Sequence, residues 1–227
     1  LFGLSIANRI IMENIFIFIP VILGVMAANT MKYLFAFFDV AEPKAISHIP
    51  IYELSLGLLW AWAFVELPMI EAFIFSLITL LITAIGWIDL KSFKIPFLLI
   101  ITSSLILIGS IFLDQIQATP AFLGLSIGGI IPWAIMVTTS IFTKRKGMGT
   151  GDFQLGIILG IWLGPVRMAL TLFMASFFSL LMWAYISMSL GIDKDRALPF
   201  APFLVFAAID IYIASYYYPK FFHHLMI

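Results

Sequence analysis

The stretch IPFLLIITSSLILIGSIFL, residues 95–113, decides what kind of protein this is, because it contains no charged side chain from end to end. A helix rising 1.5 Å per residue needs about 20 mostly apolar residues to cross a hydrocarbon layer roughly 30 Å thick, with about 17 as the lower limit. This run meets that requirement. Working outward from it, apolar runs between charged or proline-containing breaks recur as Ile10–Met31, Tyr52–Val65, Met69–Ile88, Ile95–Leu113, Ala121–Phe142, Phe153–Leu163, Val166–Leu190 and Phe200–Tyr218. The expected fold is therefore all-α: a polytopic integral membrane helix bundle of about eight transmembrane helices. Tyr52–Val65 and Phe153–Leu163 are too short to cross unless their polar ends extend them. Residues 1–227 read as a single membrane-embedded domain, with a short connection over residues 33–51.

Composition agrees. The chain has 227 residues, of which 63% are hydrophobic and 11% charged, and its mean hydropathy is +1.14. A soluble domain carries about 25% charged residues because its surface must meet water. A soluble enzyme and a disordered chain are excluded on this ground. So is a nucleic-acid partner, since 12 Lys+Arg against 12 Asp+Glu leave no basic surplus to hold phosphates. No cleavable signal is expected, because Ile10–Ala28 is long enough to span and lacks a clear small-residue cleavage pattern.

The distribution of cations sets an expected orientation, since Lys and Arg are retained on the cytoplasmic side. With the N-terminus outside, Lys32, Lys44, Lys91, Lys94, Lys144, Arg145, Lys146, Lys194 and Arg196 fall inside, and only Arg9, Arg167 and Lys220 fall outside. Tyr216, Tyr217 and Tyr218, and the pair Trp60 and Trp62, read as interface anchors.

The absence of cysteine excludes a disulfide, a thiol nucleophile and a cysteine-ligated metal. His48, His223 and His224 do not have zinc-ligand spacing, so neither metal nor cofactor is expected.

Two acids stand apart from those that mark membrane boundaries. Asp89 closes one apolar run in Gly86-Trp87-Ile88-Asp89-Leu90-Lys91, and Asp152 opens another in Gly147-Met148-Gly149-Thr150-Gly151-Asp152. Both fall at the cytoplasmic edge on different helices, so they can meet. Two carboxyls a few ångströms apart cannot both ionise cheaply; they share a proton, which suits one to act as base and the other as acid on a peptide bond. Gly149 and Gly151 are expected to let the backbone take positive φ and approach an extended substrate closely. Pro96 is expected at the first turn of the next helix, stiffening a strand-like or turn segment that holds Asp89. Taken singly, each Asp also fits a solvated charge or a helix cap.

These residues resemble the type IV prepilin peptidases. Gly149-Thr150-Gly151-Asp152 with Gln154-Leu155 and Leu159-Gly160-Ile161-Trp162-Leu163-Gly164 looks like that family's GxGD region, and Ile88-Asp89 with Ile95-Pro96 looks like its first catalytic aspartate region. Ile46-Ser47-His48-Ile49-Pro50-Ile51-Tyr52-Glu53 and Leu198-Pro199-Phe200-Ala201-Pro202-Phe203-Leu204 add two more ordered matches. The resemblance implies a membrane aspartic endopeptidase of the bacterial cytoplasmic membrane, with Asp89 and Asp152 as its catalytic pair. It would remove the basic leader of prepilins or pseudopilins on the cytoplasmic side. Its partners would be those substrates and membrane lipid. Glu53, at the cytoplasmic start of its helix, reads as a substrate contact or as a charge that favours a helix N-terminus.

The sequence departs from the family at Gln154, where a Lys is usual, at Phe97, where a polar residue is common, and at Ala201, where Gly is usual. Members that also methylate the new N-terminus resemble one another in a cytoplasmic insert with paired Cys-x-x-Cys motifs. The short cysteine-free connection here makes methyl transfer doubtful. Asp210 lies in mid-run, where an acid costs at least ~2.5 kcal/mol unless it faces a partner, and a hydrogen bond to a bundle neighbour is expected for it. A proton-coupled transporter using Asp210, Asp89 and Asp152 is the competing function, with an inactive paralogue as another. A presenilin-like protease is discounted because its first Asp would lie inside a helix, after Tyr.

Overall fold

A computed structural model describes residues 2–38, 51–143, 149–191 and 198–224, with side chains of the first helix described from residue 18 onward. Among these residues the structure is helical: α1 (Phe2–Phe37), α2 (Ile51–Glu66), α3 (Met69–Ser92), α4 (Phe97–Phe112), α5 (Ala118–Thr143), α6 (Thr150–Leu163), α7 (Pro165–Leu190), α8 (Ala201–Tyr217) and α9 (Pro219–His224). Each of the eight expected apolar runs is a helix. Phe18–Phe37, Met69–Ser92, Ala118–Thr138 and Pro165–Leu190 are long and apolar enough to cross a membrane, and Phe97–Phe112, Thr150–Leu163 and Ala201–Tyr217 are shorter apolar helices. Large apolar side chains such as Phe112, Met188, Phe173 and Phe122 are exposed on the outside, as they are on a protein whose solvent is lipid. The chain is a multi-pass helical membrane protein.

Helix boundaries follow local chemistry. Pro96 is the N-cap of α4, with φ −68° and ψ 120°, so the helix starts at Phe97 rather than at Ile95; a residue preceding proline is pushed out of the α region. Gly164, at φ 75°, ends α6 and precedes Pro165 at the start of α7. Only glycine takes this conformation without strain, and proline at the first helical position gives up an N–H that has no helical partner. The connection expected over 33–51 is shorter than it reads. α1 continues through Phe37 because Phe35 is fully buried and lies edge-on to Tyr52, with centroids 5.9 Å apart. The rest of that connection, including Lys44, Ile46, Ser47, His48, Ile49 and Pro50, lies outside the described residues, as do Lys144, Arg145, Lys146, Gly147, Met148, Lys194 and Arg196.

The chain forms two compact units, Leu1–Ala84 and Ile85–Ile227. In the first, α1 crosses α2 where Gly24 meets Gly57, and a Cβ on Gly24 would stand 2.8 Å from the Gly57 Cα. Ala28, Leu56, Trp60 and Leu80 form its buried cluster, and Trp62 packs on Phe75 at 5.3 Å.

The second unit is built on a closer crossing. Gly124 and Gly128 of α5 oppose Gly160 and Gly156 of α6, and a Cβ on any of the four would fall on a carbonyl oxygen of the facing helix. Small residues four apart on both partners let two backbones touch, which in lipid is the main source of helix association. α8 packs against α7 and α6, with Leu204, Ala207, Ala208 and Ile211 buried. Asp210 is on the opposite side of α8 and is exposed. The hydrogen bond expected for it inside the bundle is therefore overturned. At 3.6 residues per turn Asp210 shares its face with Phe206, which is 61% exposed, rather than with the buried set.

Candidate active site

Asp89 lies in the last turn of α3, which runs on to Ser92, so the expected strand-like or turn segment is in fact helix. The reason is the break that follows. Phe93 takes φ 54° and its N–H donates to the Asp89 carbonyl at 2.9 Å, closing the helix one residue after Ser92. Gly86, one turn before Asp89, faces Pro202 and Val205 of α8, with a Cβ there 3.5 Å from each. That approach brings Asp89 to the start of α8. Its Oδ2 accepts the Ala201 N–H at 3.2 Å, and the residue is 6% exposed. The first amides of a helix have no carbonyl partner within it and carry its positive dipole end, so a carboxylate is well placed there.

Asp152 is brought in by a different glycine. Gly151 sits in the first turn of α6, and a Cβ on it would stand 2.7 Å from the Ile95 Cβ. The first turn of α6 therefore lies directly on the α3–α4 connection, which Pro96 holds extended. The expectation of positive φ is overturned: Gly149 is at φ −72° and ψ 145°, and Gly151 is helical. What Gly151 supplies is the space for Ile95. Asp152 Oδ2 accepts the Gly149 N–H at 3.3 Å, so the capping role is present alongside any other. Oδ1 is buried with no hydrogen-bond partner among the described residues.

The two acids thus come from α3 and α6 within one compact unit, and the charge of Asp89 acts on Asp152. Pro96, Gly149 and Gly151 all border the arrangement. Glu53 belongs to the N-terminal unit, where it is buried in the first turn of α2 and engaged within the protein. Ala201 is the contributor that the sequence left unread. Its segment was matched as a motif, but the donor is a backbone N–H, which leaves no mark on side-chain identity. No group of His, Cys, Asp or Glu that could hold a metal occurs among the described residues.

A helical membrane protein that joins two aspartates from separate helices beside a glycine-rich helix start is thereby defined. The model of the type IV leader peptidase family matches residues 74–184, which include both acids. This stretch of the chain belongs to that family. Curated bacterial relatives named prepilin leader peptidase/N-methyltransferase align with it. The one from Xanthomonas campestris is 30% identical over 101 residues, covering 44% of this chain and 35% of the relative. That from Neisseria gonorrhoeae is 28% identical over 186 residues, covering 77% and 60%. That from Dichelobacter nodosus is 26% identical over 187 residues, covering 81% and 58%. The chain spans between about a third and three fifths of the length of these relatives. No solved structure matches it.

Proposed function

We propose that this protein is a membrane aspartic endopeptidase that cleaves the basic leader from type IV prepilins or pseudopilins at the cytoplasmic face of the bacterial inner membrane. The observation that carries the reading is the pair itself: Asp89 at the end of α3 and Asp152 at the start of α6, close enough for one charge to act on the other. The family of residues 74–184 supports the substrate class. Lys91, in the last turn of α3 beside Asp89, supports the side of the membrane, since cations are retained in the cytoplasm. Both compact units are taken as parts of one membrane-embedded peptidase.

In the proposed reaction the ionised carboxylate removes a proton from water as the water oxygen attacks the scissile carbonyl carbon. The protonated carboxyl gives its proton to the carbonyl oxygen. Collapse of the tetrahedral intermediate breaks the C–N bond: the proton first taken from water passes to the leaving amine, and one hydroxyl proton of the intermediate returns to the other carboxylate as the new carboxyl group forms. The Ala201 N–H holds Asp89 in place throughout, and Oδ1 of Asp152, which has no hydrogen-bond partner among the described residues, is the atom left to bind the attacking water or the substrate. Gly149, Gly151 and Pro96 fix the distance between the acids. Glu53 is kept as a substrate contact or as a charge that favours the N-terminus of α2. No cofactor is invoked. Cleavage is proposed to occur without methylation of the new N-terminus.

The transporter alternative draws on Asp210 as a carrier inside the bundle, and its exposed position on α8 favours the peptidase. The test is co-expression with a prepilin. Asp89→Asn and Asp152→Asn should each abolish leader removal while the chain still inserts; full-speed cleavage by either variant would sink the pair as catalytic. Mass analysis of the pilin N-terminus tests the second claim, and a methyl group added by this protein alone would refute it.

A further inference from the structure

The two carboxyls of the pair do not sit in equivalent surroundings. Asp89 reaches out of its own helix: its Oδ2 accepts the N–H of Ala201, the first residue of α8, at 3.2 Å. That amide has no carbonyl partner within α8, and it lies at the positive end of a 17-residue helix. Such a bond favours the charged form of the carboxyl that receives it. Neither oxygen of Asp89 is buried without a partner among the described residues. Asp152 also accepts one amide, from Gly149 at 3.3 Å, but through Oδ2 alone. Its Oδ1 is buried and has no hydrogen-bond partner among the described residues. Negative charge on such an oxygen is left unanswered, whereas a proton there makes it a hydroxyl with a hydrogen to give.

The helices that carry and flank the pair do not even out this difference. Asp152 is the only ionisable residue of Thr150–Leu163, Phe97–Phe112 has none, and the first turn of α8, Ala201 to Leu204, has none. Lys91 and Lys94 follow Asp89 along the chain; both are exposed, and the Lys91 Nζ lies 5.0 Å over the Trp87 ring. We propose that the proton shared by the pair rests on Oδ1 of Asp152 and the negative charge on Asp89, which makes Asp89 the general base and Asp152 the general acid. Environments that separate two carboxyls in this way assign their roles. The roles rest on the peptidase reading, whereas the place of the proton does not. In the first step Asp89 takes a proton from water as the water oxygen bonds to the scissile carbonyl carbon, and the carbonyl π pair moves to its oxygen, which takes the proton of Asp152 Oδ1. Asp89 is then neutral and Asp152 charged, the reverse of the start, and collapse of the intermediate restores both.

The test locates the proton without any substrate. The full chain is isotope-labelled at its aspartate carboxyls, and the C=O stretch of the neutral carboxyl is followed by infrared spectroscopy as pH is raised. Asp152→Asn leaves Asp89 alone, Asp89→Asn leaves Asp152 alone, and the double Asn variant supplies the background of the other acids. Asparagine is neutral and close in shape to a protonated Asp. The gap between the two single titrations is therefore the preference of the shared proton for one site over the other. Asp152 should hold its proton to a pH at least about one unit above Asp89, a preference of about tenfold. Titration of the two acids together, or of Asp89 at the higher pH, would overturn the proposal. Asp89→Ser and Asp152→Ser, smaller and also neutral, carry the same comparison if an Asn variant does not insert. The expected order together with an uncut co-expressed prepilin would sink the peptidase reading and leave the proton where it is placed here.

Discussion

At one end of the C-terminal unit, Arg167 lies 5.7 Å over the Tyr212 ring and its Nη1 donates to Ser215 Oγ at 3.4 Å, while Tyr212 stacks on Trp162 at 4.9 Å and 15°. At the other end, Asp152 keeps one carboxylate oxygen buried with no hydrogen-bond partner among the described residues, beside a second acid. The same helices, α6 and α8, contribute to both ends. One end satisfies a charge with an aromatic face and a hydroxyl, which adds stability. The other brings like groups together, which costs stability and is the usual mark of a working site. If this contrast is correct, substitutions at the two ends should fail in different ways.

The largest effect belongs to the acid end. Asp89→Asn or Asp152→Asn should lower leader cleavage at least ~100-fold, the lower range for loss of a general acid or base, with membrane insertion and melting little changed. If the pair works with one proton between two carboxyls, as proposed, cleavage by the unsubstituted chain should fall both when the last proton is removed and when a second is added. A pH–rate profile flat on either side would break the paired reading even if both residues proved essential.

Next in size is Gly151→Ala. Its new Cβ would fall 2.7 Å from the Ile95 Cβ, so the start of α6 must move away from the α3–α4 connection and take Asp152 with it. A displacement on the order of 1 Å can cost about 100-fold in rate, and a tenfold to hundredfold loss is expected. The clash is with a Cβ, so Ile95→Ala cannot relieve it. Ile95→Gly can, and partial recovery in the Gly151→Ala, Ile95→Gly double variant would show that spacing is what Gly151 supplies. Unchanged cleavage by Gly151→Ala alone would leave the glycine without that role.

At the opposite end the order reverses. Tyr212→Leu removes the ring that lies between Trp162 and Arg167, and such pairs contribute about 0.5–1.5 kcal/mol beyond area burial. Arg167→Met removes a cation–π contact worth about 0.5–2 kcal/mol. Both should lower the melting temperature in detergent by a few degrees and leave kcat within about twofold. A large loss of kcat in either, with melting unchanged, would erase the distinction between the two ends.

The sequence made the helices legible because lipid enforces one rule along every span: apolar residues, nearly without charge. It made Asp89 and Asp152 legible because acids at the borders of such runs are conspicuous. Three features escaped. The Ala201 donor is a backbone group. The crossing of Gly124 and Gly128 with Gly156 and Gly160 was present as two small-residue pairs at four-residue spacing, and only their shared register in space reveals a contact. Asp210 was placed by its polarity, whereas its position relative to Leu204, Ala207, Ala208 and Ile211 already put it on the other face. Gly149 and Gly151 were read for conformational freedom, and what Gly151 provides is room.

The smallest effect is expected at Gln154, where the family usually has Lys. Read along the chain as a line, a cation two residues after Asp152 is close enough to favour its ionised form. On a helix it is not, since residues i and i+2 point about 200° apart and do not face each other. Asp152 and Gln154 are both in α6, in its first turn and just beyond. A Lys there would have to wrap its stem around the helix start to reach the carboxylate, and a half-exposed position lets water screen whatever remains. Gln154→Lys should therefore change kcat/KM by less than about threefold. A tenfold rise would mean that the acid end is tuned by charge from α6 itself, and that the contrast with the Arg167 end is narrower than the geometry of the pair implies.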